Sequence, residues 1–281
     1  MPSTTNSQPP YKDLYIYYIN GRIAWDAAVN GPHFIGAWEE DGDTFLFFTH
    51  PAHKDIQTLL ERHPHLTLAD SFQMTYDEWQ GGAIETIQVG RLQVVAPWKA
   101  QNAPWCSNRI LLDPGVVFGT GTHPTTRDCL DAVRLACREG APERVLDLGT
   151  GTGLLALAAA RLGCRLNLAI ELNLLAAKTA EKNVRLNKLE EQIAVVQGDA
   201  RAFVDCPNDL LIANIHYEVM KRLIRTDGFA ACKRFILSGL LRSEAKQVRI
   251  ELERMPAKIL KSWTHDGIWH TFYGEIVKYG R

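Results

Sequence analysis

Between Arg144 and Gly239 the chain returns repeatedly to one short unit, an apolar run followed by a longer stretch with helical spacing. RVLDLG precedes LLALAAARLG, NLAIE precedes LLAAKTAEKNVRLNKL, and IAVVQ, DLLIAN and RFILSG continue the series. Runs this continuously apolar read as strands buried on both faces. A parallel sheet covered by helices on each side is the arrangement that buries them. Helices are also expected over DCLDAVRLACREG, from about His216, and over RSEAKQVRIELERM, with KILKSW and HTFYGEIV as closing strands. The fold expected for residues 113–281 is therefore α/β, a Rossmann-like, doubly wound, seven-stranded sheet. Asn173 is placed to cap the helix after NLAIE, and Gly163 to end the helix before it.

A chain of 281 residues has room for a second domain. Upstream lie the strand-like DLYIYYI and FIGAWEEDGDTFLFF, in which EEDGD signals a hairpin turn. AHKDIQTLLER reads as a short amphipathic helix, and QMTYDEW and IETIQVGRLQVVAPW as extended chain. Residues 1–95 are expected to form a small α+β domain. It lacks a glycine loop and clustered chemistry, which suits recognition of a substrate better than reaction. Its first ten residues, MPSTTNSQPP, have no apolar core of a signal peptide and read as a disordered tail. Residues 96–112, with two prolines and two tryptophans, read as a linker.

Composition narrows the function classes. The chain is 46% apolar and 22% charged with a net charge of −1, so no global basic field recruits nucleic acid, and direct sequence-specific binding to it is not expected. Cys106, Cys129, Cys137, Cys164, Cys206 and Cys232 form no CxxC pair and match no zinc spacing. Reduced thiols in a cytoplasmic protein, with no metal site, are the plain reading. No apolar run approaches the roughly 18 residues of a membrane span.

The loop DLGTGTG, residues 147–153, is where chemistry is expected. It joins the first strand of the sheet to its helix, at the carboxyl edge where such folds bind ligands. Gly149, Gly151 and Gly153 permit close backbone approach. A dinucleotide site wants its third glycine where this chain has Leu154, and no Lys-Ser/Thr follows to make a phosphate loop. The acid-x-G-x-G-x-G form suits S-adenosylmethionine instead. Glu171, ending the second strand, can accept both ribose hydroxyls or merely cap the next helix. Asp199, after the third, can accept from the adenine amino group or serve a turn. Asn214, ending the fourth, faces the reacting end of the ligand, or else closes the strand as an Asx turn. His216, two residues on, is a candidate proton acceptor or a structural histidine.

A more particular stretch lies ahead of the fold. DPGVVFGTGTHPTTRDCL, residues 113–130, together with VLDLGTGTGLLALAAARLG, LLIANI and ILSGLL, closely resembles the PrmA family, the methyltransferases of large-subunit ribosomal protein L11. The resemblance runs in register from about residue 94 to the end, and more faintly through GAWEEDGDTFLFF. It implies a class I, S-adenosylmethionine-dependent methyltransferase domain behind a small substrate-recognition domain. It implies that Thr126 contacts the cofactor and brings Gly149, Glu171 and Asn214 into the same site. The chain departs from the family at Glu171-Leu172-Asn173-Leu174, where Asp-x-Asp-Pro is usual, and at His216, where leucine is usual.

The expected reaction is attack of a neutral protein amine on the sulfonium methyl, with orientation and exclusion of water as the main contributions. Gly149, Gly151, Glu171, Asp199 and Thr126 are the expected cofactor contacts. Asn214 would touch both cofactor and amine, and FGTGTHPTT would fold over the ligand. Competing readings are a lysine methyltransferase of another protein, such as the electron-transfer flavoprotein β subunit, a small-molecule amine methyltransferase, and a non-catalytic assembly factor that binds the cofactor. A nicotinamide dehydrogenase is disfavoured by Leu154.

Overall fold

The computed structural model describes residues 8–23, 29, 31–104 and 106–277. The disordered tail expected at the start therefore lies mostly outside the described residues, as does the second tryptophan of the expected linker.

The described chain forms two compact units, with the boundary in sequence between Ile84 and Glu85. The first unit begins with β1 (Asp13–Asn20), β2 (Phe34–Glu40), β3 (Asp43–Phe48), α1 (His53–Arg62), β4 (Thr67–Thr75) and α2 (Tyr76–Trp79). Its antiparallel sheet has the order β2-β3-β1-β4. The expected turn in EEDGD is a two-residue hairpin loop, with Asp41 at φ 51° and Gly42 at φ 97°. Positive φ at both positions matches the right-handed strand twist. Ile56 and Leu59 of α1 pack with Tyr17, Ile19, Leu46 and Phe48 of the sheet. QMTYDEW, expected to be extended, instead turns into α2 at Tyr76. Thr75 and Glu78 form a capping box, the Thr75 hydroxyl accepting from the Glu78 amide and the Glu78 carboxylate from the Thr75 amide.

The second unit opens with β5 (Ile87–Val89), β6 (Leu92–Val95) and β7 (Asn108–Leu111). These form one small sheet, β6 pairing antiparallel with β5 and parallel with β7. The expected domain boundary at residue 95 and linker over 96–112 are thus corrected. Pro97–Lys99 is a 3-10 turn, and the Arg109 guanidinium donates to the carbonyls of Ala100, Ala103 and Pro104, so the connection is tied down. Ile110 and Leu112 are buried in the core of the larger unit, which is why the segment belongs there.

The rest of the unit runs α3 (Pro124–Ala136), β8 (Arg144–Leu148), α4 (Leu154–Arg161), β9 (Leu166–Glu171), α5 (Leu174–Leu186), β10 (Ile193–Gln197), α6 (Ala200–Phe203), β11 (Leu210–Asn214), α7 (Tyr217–Leu223), α8 (Asp227–Ala231), β12 (Arg234–Leu241), α9 (Arg242–Glu253), β13 (Ala257–His265) and β14 (Trp269–Ile276). The seven-stranded sheet has the order β10-β9-β8-β11-β12-β14-β13, with β14 antiparallel to both neighbours and the others parallel. This is the expected doubly wound class. Alternate strand residues feed two separate cores: Val145, Ile212 and Ile236 enter one with α3 and α4, while Leu146, Leu211, Phe235 and Leu237 enter the other with α7 and α9. Period-two alternation with both faces apolar gives near-continuous hydrophobic runs. Helix α3 starts four residues before the expected DCLDAVRLACREG, because Pro124 at its first position has no amide to leave unpaired.

Candidate functional site

The sheet's strand order reverses between β8 and β11. The chain winds outward from β8 through β9 to β10, then crosses back to β11. The carboxyl ends of strands at such a reversal are the usual ligand site of a doubly wound fold.

The glycine loop leaves β8 at this reversal. Gly149, Gly151 and Gly153 have φ of 73°, 57° and 84°, a region that strains any side chain. The amides of Gly149 and Thr150 both donate to the Ile170 carbonyl of β9. A Cβ on Gly149 would meet Ile215 Cγ2 at 2.3 Å, and one on Gly151 would lie 3.0 Å from the Phe118 carbonyl. The backbone is packed closely on both sides before any ligand is considered.

Asp147, on the strand before the loop, is buried and accepts from Thr150 Oγ1 at 2.5 Å. Burial pushes its carboxyl up to about 6, opposed by the Thr150 hydroxyl and the Ala156 amide, and the charge of Glu171 adds to the rise. Glu171 ends β9 half-exposed, and its Oε2 accepts from the Gly151 amide at 2.9 Å. The carboxylate is thereby held against the middle glycine of the loop.

FGTGT and the helix after it form the next side. Thr152 Oγ1 donates to the Gly119 carbonyl at 2.8 Å, so the segment lies on the glycine loop. Phe118 is 67% exposed beside it. His123 caps α3: its Nδ1 lies 2.7 Å from Thr125 Oγ1 and accepts from the Thr125 amide. Its ring meets Trp269 edge-on, with centroids 5.0 Å apart. Burial and the neighbouring His265 hold the His123 imidazole below its ordinary range, against the pull of Asp128. Thr126, in the first turn, is buried, and its hydroxyl has no hydrogen-bond partner among the described residues.

Asn214 ends β11 half-buried, opposite Ser238 of β12 in the ladder. Ser238 Oγ lies 2.6 Å from Thr271 Oγ1 and donates to the Thr125 carbonyl at 3.4 Å, tying β12 to the start of α3. Gly239 follows with φ 81°, and a Cβ there would come within 3.0 Å of Asn214 Oδ1. His216 is the N-cap residue of α7 without a capping side-chain bond.

Asp199 is placed beyond β10 on the same edge, but its carboxylate is engaged locally. It caps α6 by accepting from the Arg201 amide at 2.9 Å and pairs with the Arg201 guanidinium. That pairing, first of all, holds it below the usual carboxylate range.

Two residues missing from the sequence reading organise this edge. Asn183, fully buried on α5, accepts from the Asp113 amide and donates to the carbonyls of Asp113 and Thr152, all at 2.9 Å. Asn187, one turn on, accepts from the Leu111 amide and donates to the Leu111 carbonyl. The signal was present: two asparagines four apart, one inside α5 and one just past its end, are poor helix formers, and they earn their place by bonding backbone elsewhere. Gly239 was quoted within ILSGLL without a role. Its closeness to Asn214 depends on strand pairing that no local pattern reveals.

Among the described residues no group of three or more His, Cys, Asp or Glu side chains is arranged to hold a metal, and no helix is long and apolar enough to cross a membrane. The arrangement is a glycine loop with one carboxylate held against it, one amide at the neighbouring strand end and one unpaired buried hydroxyl.

Known proteins share both sequence and architecture. The chain is 37% identical over 181 residues to a ribosomal protein L11 methyltransferase of an Exiguobacterium species, covering 62% of this chain and 57% of that protein. It is 32% identical over 224 residues to the ribosomal protein L11 methyltransferase of Desulfitobacterium hafniense, covering 75% of this chain and 69% of that one. The matched stretch thus spans little more than half the length of the first relative. The crystal structure of ribosomal protein L11 methylase from Lactobacillus delbrueckii subsp. bulgaricus superposes with a TM-score of 0.60 at 28% identity, covering 68% of this chain and 98% of that one. The family model of ribosomal protein L11 methyltransferase (PrmA) matches residues 54–275, and the chain belongs to that family.

Proposed function

We propose that this protein transfers methyl groups from S-adenosylmethionine to amino groups of ribosomal protein L11 in the cytoplasm, chiefly lysine side chains and also the terminal amine. The observation that carries the reading is the convergence of Glu171, the glycine loop, Thr126 and Asn214 on one edge of the sheet in a member of this family.

The residues present fit the cofactor. Gly149 and Gly151 bring bare backbone to the cleft, and Glu171 offers a carboxylate to the ribose hydroxyls while one of its oxygens steadies the loop. The unpaired Thr126 hydroxyl supplies a donor whose burial without a partner costs about 1–3 kcal/mol. The Asp199 carboxylate would take the adenine amino group only by sharing with Arg201. Bound here, the cofactor supplies an electrophilic methyl group on a sulfonium, whose departure leaves a neutral thioether.

The chain's own residues have limited chemistry to perform. A lysine ammonium, with an unperturbed pKa near 10.4, must lose a proton before it can attack. Removing it from water favours the neutral form. Asn214 Oδ1 accepts from the incoming amine and fixes its direction of approach, and Gly239 leaves the space that lets it do so. FGTGT, bonded to the loop through Thr152, excludes water from the cleft. The amino-terminal unit selects the protein substrate.

The test is transfer of labelled methyl groups to purified L11, with mass spectrometry of the product. Label on L11 lysines, abolished in N214A, is expected. Label on the electron-transfer flavoprotein β subunit but not on L11 would reassign the substrate. Cofactor binding without label on any protein would overturn the catalytic reading.

A further inference from the structure

Two of the six cysteines meet although they are 27 residues apart in sequence. Cys137 Sγ lies 3.7 Å from Cys164 Sγ. We propose that Cys137 and Cys164 form an oxidation site, joining in a reversible disulfide when the folded protein meets a peroxide.

The positions suit such a bond. A disulfide needs its sulfurs at about 2.05 Å, so they must close by about 1.7 Å. Cys137 is the C-cap residue of α3, and its amide donates to the Val133 carbonyl. Cys164 follows α4 and is held firmly: its amide donates to the Ala159 carbonyl, and its carbonyl accepts from Asn167 Nδ2. Both backbones are held, so the closure falls to rotation of the side chains, chiefly of the partly exposed Cys137.

Their chemistry is unequal in the way the reaction requires. Cys137 is partly exposed and Cys164 fully buried. The contact with Cys164 and the nearby Arg234 guanidinium draw the Cys137 thiol below its ordinary range. The contact with Cys137, first of all, and burial push the Cys164 thiol up. Arg234 is itself anchored, donating to the Ala136 carbonyl at 2.6 Å. The partly exposed Cys137, beside Arg234, is therefore the attacking thiolate, and the buried Cys164 is the resolving thiol. By contrast Cys129 is fully buried and pushed up to about 12 by burial, and Cys232 is also buried.

The steps balance. Cys137 thiolate attacks one peroxide oxygen, the O–O bond breaks, and a sulfenic acid and water are produced after protonation. Cys164 sulfur then attacks the Cys137 sulfur, the S–O bond breaks, and a second water leaves with the Cys164 proton. Two electrons pass from the thiols to the peroxide, and dithiothreitol returns them.

The bond would tie the carboxyl end of α3 to the turn between α4 and β9. Both helices start at the functional edge, α3 with Thr126 and α4 after the glycine loop. Closing a loop of this length is expected to raise the melting temperature by about 5–10 °C.

The experiment uses the full chain, folded, with hydrogen peroxide at a few equivalents, followed by alkylation, digestion and mass spectrometry. The expected result is loss of two free thiols, a Cys137–Cys164 linked peptide removed by dithiothreitol, and the rise in melting temperature. Neither the link nor the rise should occur in C137S. In C164S, Cys137 should accumulate as a sulfenic acid trapped by a cyclic 1,3-dione. Oxidation of Cys137 to sulfinic acid without a link, linkage of any other pair, or unchanged thiols would each overturn the proposal. If C164S fails to fold, the wild-type peptide map and C137S decide the matter alone.

Discussion

Asn183 holds three backbone groups at once, which makes it the most exposing place to perturb the fold. Its Oδ1 satisfies the Asp113 amide, and its Nδ2 satisfies the carbonyls of Asp113 and Thr152. Asn183 and Thr152 are fully buried and Asp113 is 7% exposed, so water cannot replace the lost bonds without local opening. Each buried group left unpaired costs about 1–3 kcal/mol. N183A leaves three, and some solvent access at Asp113 brings the expected loss to about 3–6 kcal/mol. Against a total stability of about 5–15 kcal/mol this is a large fraction. N183D tests the direction of the bonds. It keeps the acceptor for Asp113 but sets a carboxylate against two carbonyls, so it should be at least as damaging. Urea unfolding should show a lowered midpoint for both variants, and hydrogen exchange should speed up at Thr152 and the glycine loop. The cofactor dissociation constant should rise by about tenfold because the loop is no longer pinned to α5. A loss below about 1 kcal/mol in N183A, with loop protection intact, would refute the account of how this edge is held.

Other perturbations test the site directly. E171A removes the rim carboxylate, and losing two charge-assisted bonds should weaken S-adenosylmethionine binding about 100-fold by calorimetry; unchanged affinity would sink the ribose assignment. G239A places a methyl 3.0 Å from Asn214 Oδ1 at a φ of 81°, and kcat should fall by at least tenfold with cofactor affinity nearly kept. Asp147 titrates near 6 when folded against 3.8 as the ordinary value, so the folded state binds more protons between those pH values. Stability from this residue is therefore greatest below about pH 4 and falls as pH rises towards 6, by about 3 kcal/mol in all. D147N, measured without cofactor, should gain on the wild type across that interval; a constant difference from pH 4 to 7 would contradict the buried, raised carboxyl.

Much of the site was legible because its signals are local. The glycine spacing in DLGTGTG, an acid closing NLAIE and an amide closing DLLIAN each follow from a strand ending at one edge of a parallel sheet. The cap at Asn173 was equally local, and its Oδ1 accepts from the Leu175 amide at 2.9 Å. Errors arose where a short signal was outweighed by a broad one. Prolines and tryptophans made residues 96–112 look like a linker, while four residues within it, Asn108–Leu111, pair with β6. The capping box at Thr75 was hidden in a run of β-formers.

By itself the sequence determined the alternation of strands and helices, and with it a parallel sheet whose strand ends carry the glycine loop, Glu171 and Asn214. These depend on periods of two and 3.6 residues and on turn chemistry, which act within a few positions of the chain. Only the tertiary structure decided that Asn183 reaches the Asp113 and Thr152 backbone, that Gly239 stands against Asn214, that Asp199 is shared with Arg201, and that Cys137 meets Cys164. Most of these contacts join residues that packing brings together across the sheet or between helices. Even the pair two residues apart, Asp199 and Arg201, depends on a single turn of helix whose formation no periodic pattern announces.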